Sequence, residues 1–296
     1  MAITAQQVKD LRERTGAGMM DCKKALTECD GDIDKAIDWL REKGIAKAAK
    51  KESRIAAEGL SKVVVDGNKA CMVEINTETD FVSKNDHFLK LLDTTANAIL
   101  HSDAKNNEEA LALVVDGKTL GDLFIEAIST IGEKITLRRF EVLEKSDADT
   151  FGVYMHNGGQ ISVCLILEGS SDEQVAKHMA MQVASMAPSY VSRDDMPQDV
   201  VDHERAIQTE IVKNDEKLAG KPEKVLAGII EGKVSKSLQD MCLVDQIYFL
   251  EPDKKCGQYL KEQGTKVAKF TRYLVGEGLE KREENFAEEV AKQIGQ

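Results

Sequence analysis

Few residues of this chain stand where they could do chemistry. Asp116-Gly117-Lys118-Thr119 ends like a phosphate loop, whose amides and lysine would cradle phosphate oxygens, but Ala112 stands where the loop's leading glycine belongs. A turn capping a helix explains the segment better, so no nucleotide site is assigned to it. Gly16-Ala17-Gly18 does not follow a strand, which removes the dinucleotide-binding context and leaves a helix–helix turn. The histidines, His87, His101, His156, His178 and His203, are too dispersed for a metal cluster or a nucleophile–base pair. His156, beside Asn157-Gly158-Gly159, could serve an interface, although hairpin-turn composition is the simpler account. Six cysteines are scattered without a CxxC or a Cys/His pairing at zinc spacing, the pattern of free thiols in a reducing compartment. No catalytic residue, metal or cofactor is therefore expected.

One segment does stand out. Thr77-Glu78-Thr79-Asp80-Phe81-Val82 follows a strand signal and precedes a helix signal, so it lies in a connection, yet it sets a phenylalanine beside an acid. Either Phe81 folds back into its own core or it projects as a contact residue; the residues alone allow both.

The elements that must position these residues are legible from periodicity. Thr4-Ala-Gln-Gln7 reads as a capping box ahead of Val8 and Leu11. A second helix capped by Asp21 and a third that starts after Asp30-Gly31-Asp32 and ends at Gly44 complete a three-helix bundle resembling a ubiquitin-associated domain. Lys47, Lys50, Lys51 and Arg54 then read as a solvated linker helix rather than an RNA contact, since no aromatics interleave them. Leu60–Val65 and Lys69–Ile75 alternate around Asp66-Gly67-Asn68 as a hairpin, followed by a helix capped by Asp86, a helix from Leu120 to Ile131 and a closing strand at Glu133–Glu144. The same order recurs from Phe151 to Val275, which predicts a duplicated α+β core with antiparallel sheets. Two amphipathic stretches, Val201–Val212 and Pro222–Leu238, predict a helical hairpin inserted at about 195–243, and Lys281–Ile294 reads as a C-terminal helix. The expected domains are 1–55 for the docking bundle and linker, 56–145 and 146–275 for the two repeats, and 276–296 for the C-terminal module.

Composition bounds the function. The 296 residues, 42% hydrophobic and 31% charged, fit a folded protein, without an apolar run of the roughly 20 residues a membrane span needs. Met1-Ala2-Ile3-Thr4 lacks the features of a signal peptide, so a cytoplasmic location is expected. The net charge of −12, with +2 in residues 1–55 and −14 beyond, argues against a nucleic-acid partner. A peptide-binding adaptor, an enzyme with a cryptic site and an RNA module remain the rival classes on these grounds.

The run Val8-Lys-Asp-Leu-Arg-Glu-Arg-Thr-Gly-Ala-Gly-Met-Met-Asp-Cys-Lys-Lys-Ala-Leu26 closely resembles the opening signature of the elongation factor Ts family, and Thr79-Asp80-Phe81-Val82 resembles its second. The similarity continues through Ile131-Gly132-Glu133, His156-Asn-Gly-Gly-Gln-Ile161, His178-Met-Ala-Met-Gln182 and Val275-Gly-Glu-Gly-Leu-Glu-Lys-Arg282. Where the family has Gln-Pro-Phe, this chain has Gln246-Ile247-Tyr248-Phe249. The resemblance implies a guanine-nucleotide exchange factor for elongation factor Tu that has no catalytic chemistry and binds no nucleotide itself. It implies that the bundle and first repeat engage the partner's nucleotide domain, the second repeat its third domain, and that the helical hairpin can mediate self-association. By the same resemblance Thr79, Asp80, Phe81 and Val82 bind the partner and disturb its Mg²⁺ site, while Met19, Met20, Ile131, Gly132, His156, Gly158, Gly159, His178 and Gln182 supply further contacts.

Overall fold

Residues 3–218 and 220–280 are described by the computed structural model. Thr4 opens α1 (Ala5–Thr15): its hydroxyl accepts from the Gln7 amide at 3.2 Å while the Gln7 side chain accepts from the Thr4 amide at 3.0 Å, the expected capping box. α2 (Met19–Glu28) starts earlier than expected, with Gly18 rather than Asp21 at its N-cap. Asp21 instead sits in the first turn, where a carboxylate suits the positive end of the helix dipole, and receives Lys47 at 2.8 Å. α3 (Ile33–Ala49), capped by Asp32, completes a bundle whose small core is Leu11, Cys22, Leu26 and Ala36.

The third helix does not end at Gly44. This glycine is buried inside α3, where a β-carbon would lie 2.9 Å from Ser129 Oγ and 3.2 Å from Ile125 Cγ2. Its small size is explained by two helices touching, not by a helix stopping. α3 therefore runs on through Lys47 of the expected linker.

β1 (Glu58–Asp66) and β2 (Lys69–Thr77) pair antiparallel with Asp66 opposite Lys69, so Gly67-Asn68 is a two-residue turn. α4 (Asp86–Leu100) is capped by Asn85, one residue before the expected Asp86, through a 2.9 Å bond from the His87 amide. After α5 (Asn107–Leu111), the strands β3 (Val114–Val115) and β4 (Lys118–Thr119) close around left-handed Asp116 and Gly117. The Thr119 hydroxyl then caps α6 (Leu120–Ile131) by accepting from the Asp122 amide at 3.0 Å, so the phosphate-loop look-alike is a hairpin turn and a cap. β5 (Ile135–Glu144) joins the sheet in the order β1-β2-β5, and Phe88, Leu92 and Ile99 of α4 meet Phe124 and Ile128 of α6 in a core with Ile75.

The plan then repeats. β6 (Thr150–His156) and β7 (Ile161–Glu168) form the hairpin, α7 (Glu173–Met186) follows, and the inserted helices α8 (Gln198–Lys213) and α9 (Glu223–Met241) flank the break at Gly220-Lys221-Pro222. Short β8 (Ile247–Tyr248) and β9 (Glu251–Lys255), α10 (Cys256–Glu262) and β10 (Lys266–Leu274) end the series, with β10 beside β7 in the order β6-β7-β10. Each sheet is thus a hairpin whose second strand takes a third from beyond the helices, which is the duplication the sequence predicts. Two compact units result: the described parts of Met1–Leu143, Asn157–Ile161 and Tyr273–Gln296, and a second of Glu144–His156 with Ser162–Arg272. The helix expected at Lys281–Ile294 lies outside the described residues. Among the described residues no helix is long and apolar enough to cross a membrane.

Candidate functional site

Between β2 and α4 the chain is pinned on both sides of an unprotected ring. Before it, the Thr77 hydroxyl donates to the Thr79 carbonyl at 2.8 Å. After it, the Ser83 hydroxyl donates to the Asp80 carbonyl at 2.6 Å and Val82 drops into the core at 7% exposure. Phe81 itself is 79% exposed, which decides between the two readings left open by its sequence: the ring is not in the core. Asp80 is exposed beside it, with Lys84 Nζ at 3.7 Å.

The turn from α6 to β5 is bound to this loop. Gly132, left-handed at φ 90°, caps α6 and turns the chain so that Glu133 faces Thr79. The Glu133 carboxylate accepts from the Thr79 amide at 3.0 Å and from the Thr79 hydroxyl at 2.7 Å. In return, Glu78 accepts from the Lys134 amide at 2.6 Å. Arg54 reaches Glu78 at 3.2 Å and Lys51 donates to the Gly132 carbonyl, so the basic run after α3 holds the site from behind. The bundle is fixed to α6 as well, by the Gly44 contact and by Arg41, whose guanidinium meets both Asp122 oxygens at 2.8 and 2.9 Å. Met19 and Met20, 59% and 75% exposed at the start of α2, belong to the same compact unit as Phe81 and Gly132.

This geometry holds a large apolar side chain out in water on a braced loop, an arrangement suited to contact rather than catalysis. Among the described residues no group of three or more His, Cys, Asp or Glu is placed to hold a metal ion. The Cys71 and Cys256 thiols are pushed up to about 12 by burial, which keeps them protonated and unreactive near neutral pH. Residues 78–277, from the braced loop to the end of the second repeat, match the family model described as elongation factor TS. The chain belongs to the elongation factor Ts family. Members of that family are nucleotide exchange factors for elongation factor Tu, not catalysts of a chemical step.

The remaining elongation factor Ts signature residues divide by exposure. His156 and Gly158 are exposed, and the His156 ring lies 3.0 Å from the Tyr154 hydroxyl. His178 is half-buried, with Nδ1 at 3.2 Å from the Tyr248 hydroxyl and the Phe249 ring edge-on at 6.5 Å. Three of the expected contact residues are buried within their own chain. Gln182 is fully buried: it donates to Gln246 at 3.2 Å and to the Ile247 carbonyl at 3.1 Å, and accepts from the Phe249 amide at 3.0 Å. It therefore holds the segment in which Ile247 departs from the family's Gln-Pro-Phe. Gly159 is buried, its carbonyl accepting from Ser61 at 2.7 Å and its α-carbon so close to the Ser61 carbonyl that a β-carbon would lie 2.5 Å away. Val82 is core, as described above.

Sequence reasoning missed the braces. Glu78 is visible in the sequence only as an acid beside one signature and Glu133 only as the end of another, and the partners that brace them across the turn are 56 and 54 residues away. Glu74 was missed outright: fully buried in β2, it receives Arg138 at 2.8 Å, Arg139 at 2.7 Å and the Gly276 amide at 2.9 Å. An acid in an otherwise apolar strand is the one signal that could have found it.

Proposed function

We propose that this chain is a cytoplasmic guanine-nucleotide exchange factor that binds elongation factor Tu in its GDP form and, with Phe81 and Asp80, disturbs the Mg²⁺ and phosphate site so that GDP leaves and GTP can enter during translation elongation. The observation that carries this reading is Phe81, 79% exposed on a loop hydrogen-bonded on both sides. A rigid ring wedged between partner elements shifts the loops that hold Mg²⁺, whose near-octahedral geometry tolerates little distortion. Losing the ion removes much of the charge that retains the phosphates. Nothing here requires an acid, a base, a cofactor or nucleotide bound to this chain, because binding the nucleotide-free partner more tightly is sufficient, and linkage makes the effect mutual.

In this reading Met19, Met20, Thr79, Asp80, Phe81, Ile131 and Gly132 face the partner's nucleotide domain, and His156, Gly158 and His178 face its third domain. Val82, Gly159 and Gln182 support them from within. The hairpin of α8 and α9 mediates self-association, a role that sedimentation of the chain with and without residues 195–243 tests.

The deciding experiment is release of labelled GDP from purified elongation factor Tu. Phe81→Ala should leave the melting temperature almost unchanged, since the ring is exposed, while partner binding weakens by roughly 2 kcal/mol, about 30-fold, as for a lost aromatic anchor. Chelating Mg²⁺ should erase much of the wild-type advantage. Wild-type GDP release by well-folded Phe81→Ala would sink the wedge mechanism.

A further inference from the structure

We propose that Glu133 is the positioning residue of the Phe81 loop, holding Thr79 so that Phe81 and Gly132 meet the partner as one rigid piece. The inference rests on the exchange reading above and deepens it. β2 ends at Thr77 and β5 begins at Ile135, although the two strands are neighbours in one sheet. Past that point side chains take over the work of a strand ladder. The Glu133 carboxylate takes both polar hydrogens of Thr79, at 3.0 and 2.7 Å, and Glu78 takes the Lys134 amide at 2.6 Å. Each segment thus supplies the acceptor for the other's backbone donor, with two charged acceptors, which makes these bonds stronger than neutral ones.

The rest of the loop shows why Glu133 matters most for the ring's approach. After Phe81, buried Val82 and the Asn85 cap of α4 anchor the chain independently. Before it, Thr79 is also tied, among the described residues, by the internal 2.8 Å bond from Thr77, which curls the loop but fastens it to nothing outside. Removing Glu133 releases Thr79 and leaves the leading side held no nearer the ring than Glu78, so the Phe81 ring swings between Glu78 and Val82. Glu78 braces the same side one residue further back, through the Lys134 amide and Arg54, and its carboxylate does not touch Thr79.

Chemistry separates the variants. Glu133→Ala loses both bonds. Glu133→Gln can keep both, its amide oxygen accepting from the Thr79 N–H and its NH₂ donating to the Thr79 hydroxyl oxygen. The test measures stimulated GDP release for wild type, Glu133→Ala, Glu133→Gln, Phe81→Ala and the Phe81→Ala/Glu133→Ala double variant, together with amide hydrogen exchange at Thr79 in the unbound full-length chain. Glu133→Ala is expected to slow release roughly tenfold, the size of a lost charge-assisted bond, and to speed Thr79 exchange by a similar factor. Glu133→Gln should stay near wild type in both. The double variant should be no slower than Phe81→Ala alone, because a positioning residue has no effect once the group it positions is gone. Normal release by Glu133→Ala beside slow Phe81→Ala overturns the positioning role and leaves the exchange reading intact. Multiplicative loss in the double variant overturns it too. Normal release by Phe81→Ala overturns both. If Glu133→Ala fails to fold, folded Glu133→Gln decides: fast Thr79 exchange beside wild-type release would refute the proposal, and release that slows in step with faster exchange would uphold it.

Discussion

The α3–α6 crossing makes a quantitative prediction at Gly44. Placing alanine there puts a β-carbon 2.9 Å from Ser129 Oγ, closer than real contacts allow, and 3.2 Å from Ile125 Cγ2, which a few tenths of an ångström would relieve. Overpacking of this kind costs about 1–3 kcal/mol, against which alanine gains about 1 kcal/mol over glycine inside a helix. Gly44→Ala alone should therefore destabilise by roughly 0–2 kcal/mol. Ser129 Oγ is buried without a hydrogen-bond partner, so Ser129→Ala removes an unsatisfied group and should be neutral or stabilising. In that background the next Ser129 atom is Cβ at 3.9 Å, and the clash at its worst point is gone. Gly44→Ala should then stabilise by up to about 1 kcal/mol, a coupling of up to about 1–3 kcal/mol between the sites, the overpacking cost removed. Urea unfolding followed by Trp39 fluorescence reads this directly, since Trp39 is the chain's single tryptophan and lies on α3. Effects that add within about 0.5 kcal/mol would refute the close approach of the two helices.

Two further substitutions test the electrostatics of the same unit. Burial works to raise the Asp122 carboxyl, but the Thr119 hydroxyl and Arg41 outweigh it and hold the group below its ordinary 3.8. A depressed carboxylate stabilises the fold above that value and loses the contribution as pH falls through its lower folded one, so Asp122→Asn should flatten the decline in urea midpoint between neutral pH and about pH 3; an unchanged slope would show that Arg41 contributes nothing. Glu74→Ala removes the carboxylate shared by Arg138, Arg139 and the Gly276 amide, while Arg138 keeps the Glu277 carbonyl and Arg139 the Leu274 carbonyl and the Glu277 side chain; it should cost about 3 kcal/mol, read as a drop in the melting temperature, and a loss under about 1 kcal/mol would mean that the remaining partners suffice.

What could be seen in advance was local. The capping box at Thr4-Gln7, the tight turn within Asp66-Gly67-Asn68 and the helix from Leu120 to Ile131 are each set by neighbours within a few positions, and the sequence shows them directly. Asp21 and Asp86 were one good capping type chosen where Gly18 and Asn85 lay close by. Gly44 is ambiguous in the sequence for a deeper reason. A glycine near the end of an apolar pattern signals a C-cap or a helix crossing alike, and only the presence of Ser129 and Ile125, far along the chain, separates the two. Glu74 and Glu133 fail in the same way, because a charge can be placed inside or beside a fold only when its distant partners are known. Phe81 was recognisable as anomalous, but its direction was not, since an aromatic on a connection is equally compatible with core and surface.

The braces around Phe81 bear on how exchange itself would operate. A ligand shifts a partner between two states only by the difference in its affinity for them, however tightly it binds. A phenylalanine on a yielding loop would adapt to the nucleotide-loaded partner as readily as to the empty one, and its binding energy would cancel from that difference. Held at Thr79 by Glu133 and at Val82 by the core, the ring cannot adapt without breaking charged hydrogen bonds or unburying an aliphatic side chain. Under the proposed wedge mechanism the loaded partner would deform instead, and the cost of that deformation would be the coupling that loosens the nucleotide. On that mechanism the stiffness of the loop would contribute to exchange on the same footing as the size of the ring, which is why the effect of removing Glu133 should be visible only while Phe81 is present.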